Sequence, residues 1–282
     1  MDDDVRLSEG EERLGGWLRE ESGRGILVGF SGGVDSAYLA CVAVAVLGPD
    51  RVLAVIGRSP SFSAEQRTIA HDVAERFAIP YVEIETRELA DARYVANPSN
   101  RCYYCKTELW SRLAPLAAER GLLLVDGTNA DDLADYRPGA AAGRERGVRS
   151  PLAECDLSKA DIRALSRRRG LPTAALPASP CLASRLPYGT AVTADRLARV
   201  ERAERALRDL GVVGDLRVRF QGDLARVELR PSELDRWMEP DAAERLRAAV
   251  VSAGFRRVAV DLRGFRSGSL NVLAGVGSGV GG

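Results

Sequence analysis

The sequence predicts an α/β protein: a doubly wound parallel sheet, followed by a smaller C-terminal α+β domain. In the first half of the chain, short apolar runs alternate with segments of helical periodicity, as in a parallel sheet covered by helices on both faces. Residues 172–189 then contain several prolines, which favour an extended, irregular connection. We therefore predict a first domain at 1–171, a connection at 172–189 and a C-terminal domain at 190–282.

The elements of the first domain follow from the apolar pattern. Strands are predicted at Ile26 to Phe30, Val52 to Ile56, Tyr81 to Ile84 and Leu122 to Val125. Helices are predicted between them at Ala37 to Leu47, Ala64 to Phe77 and Thr107 to Arg120. Further on, Ser158 and Asp161 have the spacing of a helix capping box. Ligands of such sheets bind beyond the carboxyl ends of the strands, so the loops there are the first candidates for a site.

The C-terminal part reads as helix, hairpin, helix and strand. Its elements are predicted at Ala194 to Leu210, Asp215 to Phe220, Leu224 to Leu229, Pro240 to Ala253 and Arg256 to Leu262. The short link Gln221-Gly222-Asp223 is typical of a hairpin turn. The tail from Gly264 is rich in Gly and Ser, and we expect it to fray.

Composition excludes several classes of protein. The 282 residues contain 40 basic and 40 acidic side chains, so the chain has no electrostatic footprint for RNA or DNA, and we expect no nucleic-acid partner. The acidic start, 1–12, lacks the apolar core of a signal peptide, and no segment is long and apolar enough to cross a membrane. We therefore expect a cytoplasmic protein without a membrane partner. Lys106 and Lys159 are the only lysines, and His71 is the only histidine.

A Gly-rich loop follows the first predicted strand and leads into a helix. In Ser31-Gly32-Gly33-Val34-Asp35-Ser36, Gly32 and Gly33 permit backbone angles that let main-chain N–H groups converge on an anion. Ser31 and Ser36 add hydroxyl donors. The loop matches neither a Walker loop nor Gly-x-Gly-x-x-Gly. The alternative interpretation is an ordinary Gly-rich turn that Asp35 or Ser36 caps.

This loop resembles the pyrophosphate loop (PP-loop) of ATP pyrophosphatases, Ser-Gly-Gly-x-Asp-Ser. The resemblance implies a PP-loop/HUP-like fold and cleavage of ATP between its α and β phosphates, with transfer of AMP to a substrate oxygen. Mg²⁺ is expected with the pyrophosphate, and Asp35 is a candidate to place it. Arg58, after the second strand, and Gly127 and Thr128, after the fourth, lie in polar loops that either contact ATP or are generic turns.

Three of the five cysteines are candidates for a step that follows adenylation. Cys102 and Cys105 form a Cys-x-x-Cys pair just before a predicted helix, and Cys181 lies in the Pro-rich connection. Three thiolates suit a 4Fe-4S cluster with one open iron, whereas zinc would need a fourth ligand. A redox disulfide or unremarkable thiols are the alternatives. Adenylation activates a carboxylate for attack by sulfur, and Lys106 or Arg185 would lower the pKa of a thiol nearby. Cys41 reads as a core residue, and Cys155 has no evident partner.

Five further sequence segments, taken together with the Gly-rich loop, resemble the LarE family. They are Asn100 to Lys106, Gly127 to Asp132 with Asp135 to Gly139, Cys181 to Gly189, Leu216 to Phe220 and Asp261 to Gly268. That family supplies sulfur for the nickel-pincer nucleotide of lactate racemase by adenylating and thiolating a pyridinium biscarboxylate mononucleotide. In its single-cysteine form the residue matching Cys181 gives up its own sulfur. Cys102 and Cys105 indicate the three-cysteine form, in which a 4Fe-4S cluster carries a transferable sulfide.

Two arginines alternate on one face of the predicted hairpin strand. Arg217 and Arg219 suit a phosphate because guanidinium groups are planar and rich in donors. The resemblance implies the phosphate of the substrate nucleotide as their ligand, with Arg185 nearby. The alternative is a solvated strand face.

The leading hypothesis is therefore an ATP-dependent sulfur transferase acting on a small nucleotide. The alternatives are a tRNA thiolase of the same loop class, an ammonia-using synthetase and an adenine-nucleotide sensor without chemistry. We expect a homo-oligomer, with sulfide or a cysteine desulfurase as sulfur donor. The sequence leaves the choice between cluster and sacrificial cysteine open.

Overall fold

The computed structural model of the protein describes residues 2–133, 138–177 and 180–266. The helices are α1 (Asp2–Glu21), α2 (Val34–Leu47), α3 (Ala64–Arg76), α4 (Ala92–Val95), α5 (Arg101–Arg120), α6 (Pro138–Arg144), α7 (Pro151–Glu154), α8 (Lys159–Arg168), α9 (Ala194–Asp209), α10 (Leu234–Met238) and α11 (Pro240–Ser252). The strands are β1 (Ile26–Gly29), β2 (Val52–Arg58), β3 (Tyr81–Glu85), β4 (Leu123–Val125), β5 (Leu216–Gln221), β6 (Leu224–Leu229) and β7 (Arg257–Val260).

The first sheet is parallel and has the strand order β3-β2-β1-β4. Alternate residues of β1 lie on opposite faces of the sheet. Ile26 and Val28 pack in a core cluster with α1, α2, α3 and α8, whereas Leu27 packs in a second cluster with Trp110 and Leu113 of α5. Helices thus cover both faces, and the predicted doubly wound sheet is confirmed. Because β1 pairs with β2 on one side and β4 on the other, the strand order reverses at β1, where such folds bind ligands.

The chain divides into two compact units, Met1–Glu88 with Asn100–Ser179 and Leu89–Ser99 with Pro180–Gly282. The second unit contains β5 and β6 as an antiparallel hairpin around Gly222, with β7 parallel to β6. The segment 89–99 enters this unit from within the first half of the chain. Asn97 holds it there, since its Nδ2 donates to the carbonyls of Pro187 and Thr190 at 2.8 and 2.9 Å.

Several short elements differ from the sequence-based expectation. Helix α5 begins at Arg101 rather than Thr107, so Cys102 and Cys105 lie inside the helix and not before it. Helix α1 was not predicted, because Gly10, Gly15 and Gly16 lower its helix propensity. Tertiary packing overrides this cost: Leu7, Leu14 and Leu18 share one face of α1 and are all buried. The short helices α4, α6, α7 and α10 were also missed.

Two sequence-based predictions fall partly outside the described residues. Of the Gly- and Ser-rich tail, residues 264–266 are described, and the amide of Phe265 donates to the carbonyl of Leu229 at 2.7 Å. The tail from residue 267 on and the motif residues 135–137 are not described. Among the described residues, no helix combines the length and the apolar character that a membrane span requires.

Leu113 tests the core beneath α5, because its side chain is completely buried there. We expect Leu113→Ala to lower the free energy of unfolding by about 2–5 kcal/mol through lost burial and a residual cavity. Urea denaturation followed by fluorescence measures it. The control Val251→Ala, at a more exposed position of α11, should change stability by about 0.5 kcal/mol or less. An unchanged urea midpoint for Leu113→Ala would contradict this packing.

Candidate active site

The loop after β1 passes through a space that only glycine fits. Gly32 has φ +69°, a conformation that side chains disfavour. A Cβ at this position would lie 2.6 Å from the Cα of Ala70 in α3, so a larger residue would also collide with backbone. The loop therefore follows a path close to α3 before α2 begins, and residue 32 must be glycine for it to do so.

The serines of the loop hold its shape. The hydroxyls of Ser31 and Ser36 lie 3.2 Å apart, and the Ser31 amide donates to the Ser36 hydroxyl at 3.3 Å. Gly33 is the N-cap of α2 and provides no side chain to cap it. The Ser36 hydroxyl donates to the Gly33 carbonyl at 3.2 Å. Helix α2 has 14 residues, and its first backbone amides can donate hydrogen bonds to an anion.

The loop after β4 lies against the start of α2. A Cβ on Gly127 would be 2.9 Å from the amide nitrogen of Ser36, so the two backbones touch here. Thr128 is held by its amide, which donates to Asp126 Oδ1 at 3.0 Å. One residue further, buried Asn129 directs its Nδ2 to Asp35 Oδ1 at 3.4 Å. The structure thus brings Gly127 to the predicted phosphate loop and adds Asn129 to the site.

Lys159 is the functional candidate that the motif analysis missed. Its Nζ lies 2.5 Å from Asp35 Oδ2, and both side chains are partly exposed. The capping box of Ser158 and Asp161, which the structure confirms, begins α8 at Lys159 and so positions this side chain. The sequence did contain one indication of a role for Lys159, because the chain has only two lysines.

Arg58 lies at the same edge of the sheet, at the end of β2. Its side chain is exposed, while its carbonyl accepts the Thr86 amide at 3.0 Å. The ends of β1, β2 and β4 therefore bring the predicted nucleotide-binding residues to one edge of the first unit. These residues are Ser31, Gly32, Gly33, Asp35, Ser36, Arg58, Gly127 and Thr128.

The predicted sulfur residues are distributed over both units. Cys102 and Cys105 lie one turn apart on α5, the first exposed and the second half-buried. Cys181 is half-buried in the second unit and precedes a short 3-10 turn, Leu182–Arg185. In the parts of the chain that the structure describes, no group of three Cys, His, Asp or Glu side chains is arranged to hold a metal ion.

The predicted phosphate-binding arginines are buried rather than solvated. Arg185, Arg217 and Arg219 are 3%, 4% and 7% exposed, which excludes the alternative of a solvated strand face. Arg219 pairs with Glu228 at 2.8 Å. Burial, together with the charges of Arg185 and Arg219, lowers the pKa of Arg217 to about 10 against the opposing effect of Glu204.

The remaining candidates take structural places. Cys41 is buried in α2, and burial raises the pKa of its thiol. Burial likewise raises the pKa of the Cys155 thiol, to about 11. Neither thiol is poised to ionise near neutral pH. His71 is half-buried on α3, the position predicted for it, and its Nε2 lies 2.7 Å from Glu83 Oε1.

Comparisons with known proteins cover most of the chain. The sequence profile of the NAD synthase family matches residues 7–108. The uncharacterized protein slr1717 of Synechocystis sp. is 45% identical over 246 residues, which are 87% of this chain and 91% of that protein. The pyridinium-3,5-bisthiocarboxylic acid mononucleotide synthase of Lactiplantibacillus plantarum is 40% identical over 247 residues, 87% of this chain and 88% of that protein. The NH(3)-dependent NAD(+) synthetase of Hyperthermus butylicus is 30% identical over 181 residues, 61% of this chain and 64% of that protein.

Gly32→Ala tests whether the loop geometry serves an anion. An alanine at position 32 would need a positive φ, and its Cβ would collide with Ala70. We therefore expect the loop to shift and the affinity for a non-hydrolysable ATP analogue with Mg²⁺ to fall by about tenfold or more. Isothermal titration calorimetry measures this. Gly16→Ala is the matched control, because a Cβ at that helical position meets nothing within 4 Å. Equal affinities of Gly32→Ala and the unmodified protein would remove the loop from the binding site.

Proposed function

The chain belongs to the LarE family, and we propose that it is an ATP-dependent sulfur transferase that converts a carboxylate of pyridinium-3,5-biscarboxylic acid mononucleotide to a thiocarboxylate. The product class is that of the synthase from L. plantarum, which the chain matches through both units. The observation that carries the proposal is the loop at the end of β1, which only glycine fits at position 32 and which lies where the strand order reverses. The product of the proposed reaction would be a precursor of the nickel-pincer nucleotide.

The first step uses groups of the first unit. A carboxylate oxygen of the substrate attacks the α-phosphorus of ATP, pyrophosphate leaves, and the carboxylate becomes an acyl adenylate. The amides at the start of α2 and the hydroxyls of Ser31 and Ser36 are suited to bind the departing pyrophosphate. Mg²⁺ would neutralise part of its charge, and Asp35 is the carboxylate available to place it.

Lys159 links the metal and phosphate groups in this scheme. Its ammonium group is paired with Asp35. A Mg²⁺ ion on Asp35 would compete for that carboxylate, and the released ammonium would have the phosphates as its new anionic partner. Asn129 would keep Asp35 in place during the exchange through its hydrogen bond to Oδ1.

In the second step sulfur attacks the acyl carbon and AMP leaves. We propose Cys102, Cys105 and Cys181 for this step, as in the three-cysteine form of the family. If the three thiolates bind a 4Fe-4S cluster, the cluster would supply a transferable sulfide. If they do not, the Cys181 sulfur itself would attack the acyl carbon as AMP leaves, and its Cβ–S bond would then break with loss of the α proton, leaving dehydroalanine at position 181. Cys181 is the accessible thiol in the described part of the second unit, which supports its role in either version.

Arg217 supports recognition of the substrate's phosphate. It is almost completely buried, and its pKa is lowered first by burial and then by repulsion from the charges of Arg185 and Arg219. A bound phosphate dianion would relieve that repulsion and form charge-assisted hydrogen bonds. We propose Arg217, with Arg219 beside it on β5, as the phosphate site.

The alternatives have weaker support. A tRNA thiolase would need a positive surface for a polyanion, and the chain has no net charge. An ammonia-using synthetase is suggested by the NAD synthetases among the relatives, but it leaves the three cysteines without a task. A nucleotide sensor would bind ATP without releasing pyrophosphate.

The decisive measurement follows pyrophosphate and product together. With substrate, ATP, Mg²⁺ and sulfide, we expect pyrophosphate release and, by mass spectrometry, a product in which sulfur replaces a carboxylate oxygen. Lys159→Gln should lower the rate of pyrophosphate release by about 10²-fold, because it removes a charge that stabilises the transition state. Lys159→Arg should restore part of the rate.

Arg167→Gln is the matched control, since it removes an exposed charge near the other end of α8. Its rate should equal that of the unmodified protein. ATP binding without pyrophosphate release would instead support the sensor, and thiolated tRNA nucleosides would support the tRNA thiolase.

The cluster has its own test. Anaerobic reconstitution with iron and sulfide should give a brown protein, and Cys102→Ser, Cys105→Ser and Cys181→Ser should each lose the colour. Cys155→Ala, at a buried position outside the proposed set, should keep it. A colourless reconstituted protein would contradict the cluster. Loss of one sulfur from Cys181 after turnover would then establish the sacrificial route.

A further inference from the structure

Arg185 directs nearly all of its hydrogen-bond donors to groups within the second unit. Nε and one terminal nitrogen donate to the two carboxylate oxygens of Glu204 at 2.9 and 3.0 Å, which is the bidentate geometry of a strong pair. The other terminal nitrogen donates to the carbonyl of Pro180 at 2.5 Å and lies 3.2 Å from that of Cys181 and 3.1 Å from the hydroxyl of Ser184. A guanidinium has five N–H groups, so these contacts use four.

Glu204 ties this arrangement to the sheet. Its Oε1 accepts the amide of Val218 in β5 at 2.9 Å as well as Nε of Arg185. Glu204 belongs to α9, so one carboxylate joins the helix, the edge strand and the arginine. The position of the Arg185 guanidinium is therefore fixed by regular structure and does not depend on a mobile side chain.

The groups that Arg185 holds belong to the turn that carries Cys181. The Ser184 amide closes the turn by donating to the Cys181 carbonyl at 2.9 Å, and Arg219 donates to the Ser184 carbonyl at 2.9 Å. Leu182 and Ala183 are buried beneath it, at 2% and 0% exposure. The carbonyl side of the turn is thus bound from several directions, while the Cys181 side chain remains half-buried and accessible.

We propose that Arg185 and Glu204 form a positioning pair that holds the Cys181 turn, and that Arg185 does not bind the substrate's phosphate. The sequence had grouped Arg185 with Arg217 and Arg219 as a phosphate ligand. The structure argues against that role: Glu204 neutralises its charge, one N–H at most remains, and the side chain is 3% exposed. The significance for sulfur transfer rests on the proposed function, whereas the structural role does not.

The first test measures the reactivity of Cys181 directly. The full-length protein without iron is treated with iodoacetamide, and the modification of each cysteine is followed by peptide mass spectrometry. We expect Arg185→Gln to change the alkylation rate of Cys181 by about tenfold, the factor that corresponds to one charge-assisted hydrogen bond. The rates of Cys102 and Cys105 in the first unit should remain unchanged and serve as internal references.

Glu204→Gln and Arg202→Gln complete the set. Glu204→Gln removes the carboxylate but keeps a side chain of similar shape, so it should shift the Cys181 rate in the same direction even if Arg185→Gln fails to fold. Arg202 also lies on α9 and donates to a backbone carbonyl, that of Ala253, outside the Cys181 turn. Arg202→Gln should therefore leave the Cys181 rate unchanged.

The second test separates positioning from phosphate binding. Positioning predicts that Arg185→Gln lowers the rate of sulfur transfer by about 10²-fold, since misplaced reacting groups cost that much. The KM for the nucleotide should stay within about threefold, and pyrophosphate release within about twofold. Arg185→Lys, which keeps the charge but loses the fork, should not restore sulfur transfer fully.

An increased KM for the nucleotide with an unchanged alkylation rate of Cys181 would overturn the proposal and return Arg185 to the phosphate site. Equal Cys181 rates in Arg185→Gln, Glu204→Gln and the unmodified protein would overturn it as well. The alkylation measurement needs no substrate. It therefore decides the role of Arg185 even if the unmodified chain transfers no sulfur, which would contradict only the proposed function.

Discussion

The close approach of backbone to backbone at the end of β1 is the constraint on which the first unit depends. Gly32 passes α3 at a distance that admits no Cβ, and Gly127 lies against the first turn of α2 in the same way. Because neither position carries a side chain, the backbone at the start of α2 can be approached closely at the end of β1, where the strand order reverses. Asp35, in the first turn of α2, is then brought beside Asn129 and Lys159 by the helix itself. One steric condition thus places both the amides proposed to bind an anion and the carboxylate proposed to bind a metal ion.

The second unit solves a different problem, which is how to bury several arginines. Arg185 and Arg219 each have a carboxylate partner, Glu204 and Glu228, and each also donates to a carbonyl near Cys181. Pairing offsets the cost of removing their charges from water. Arg217 differs, because burial, and after it the charges of Arg185 and Arg219, lowers the pKa of its guanidinium. Three arginines that look alike in sequence are therefore unlike in electrostatic environment.

Sequence periodicity was sufficient for most of the fold, for a physical reason. The buried strands of a parallel sheet are apolar on both faces, so β1, β2, β3 and β4 appear as short apolar runs within about two residues of their observed bounds. Periodicity failed at α1, where glycines obscure a helix that packing stabilises, and at the start of α5. The loop and its glycines were recognisable because steric requirements leave a signature in one short segment. Lys159 was not, since its partner Asp35 is distant in sequence and only folding shows their pairing.

The same limit explains why the arginines were assigned together. A strand pattern shows that Arg217 and Arg219 share a face, but it cannot show which carboxylates lie opposite or how deeply each side chain is buried. Those quantities bear on the chemistry: Arg185 is paired with Glu204 and uses most of its N–H groups on protein atoms, whereas Arg217 is buried beside two other guanidinium groups. The two proposed steps would draw on local networks that differ in kind. In the proposed mechanism, adenylation would use the amides of the loop and the ion pair of Asp35 and Lys159, and sulfur transfer would use the Cys181 turn, whose carbonyls Arg185 holds. It follows that substitutions in one network should leave the other network's contacts intact, because each is closed within its own unit.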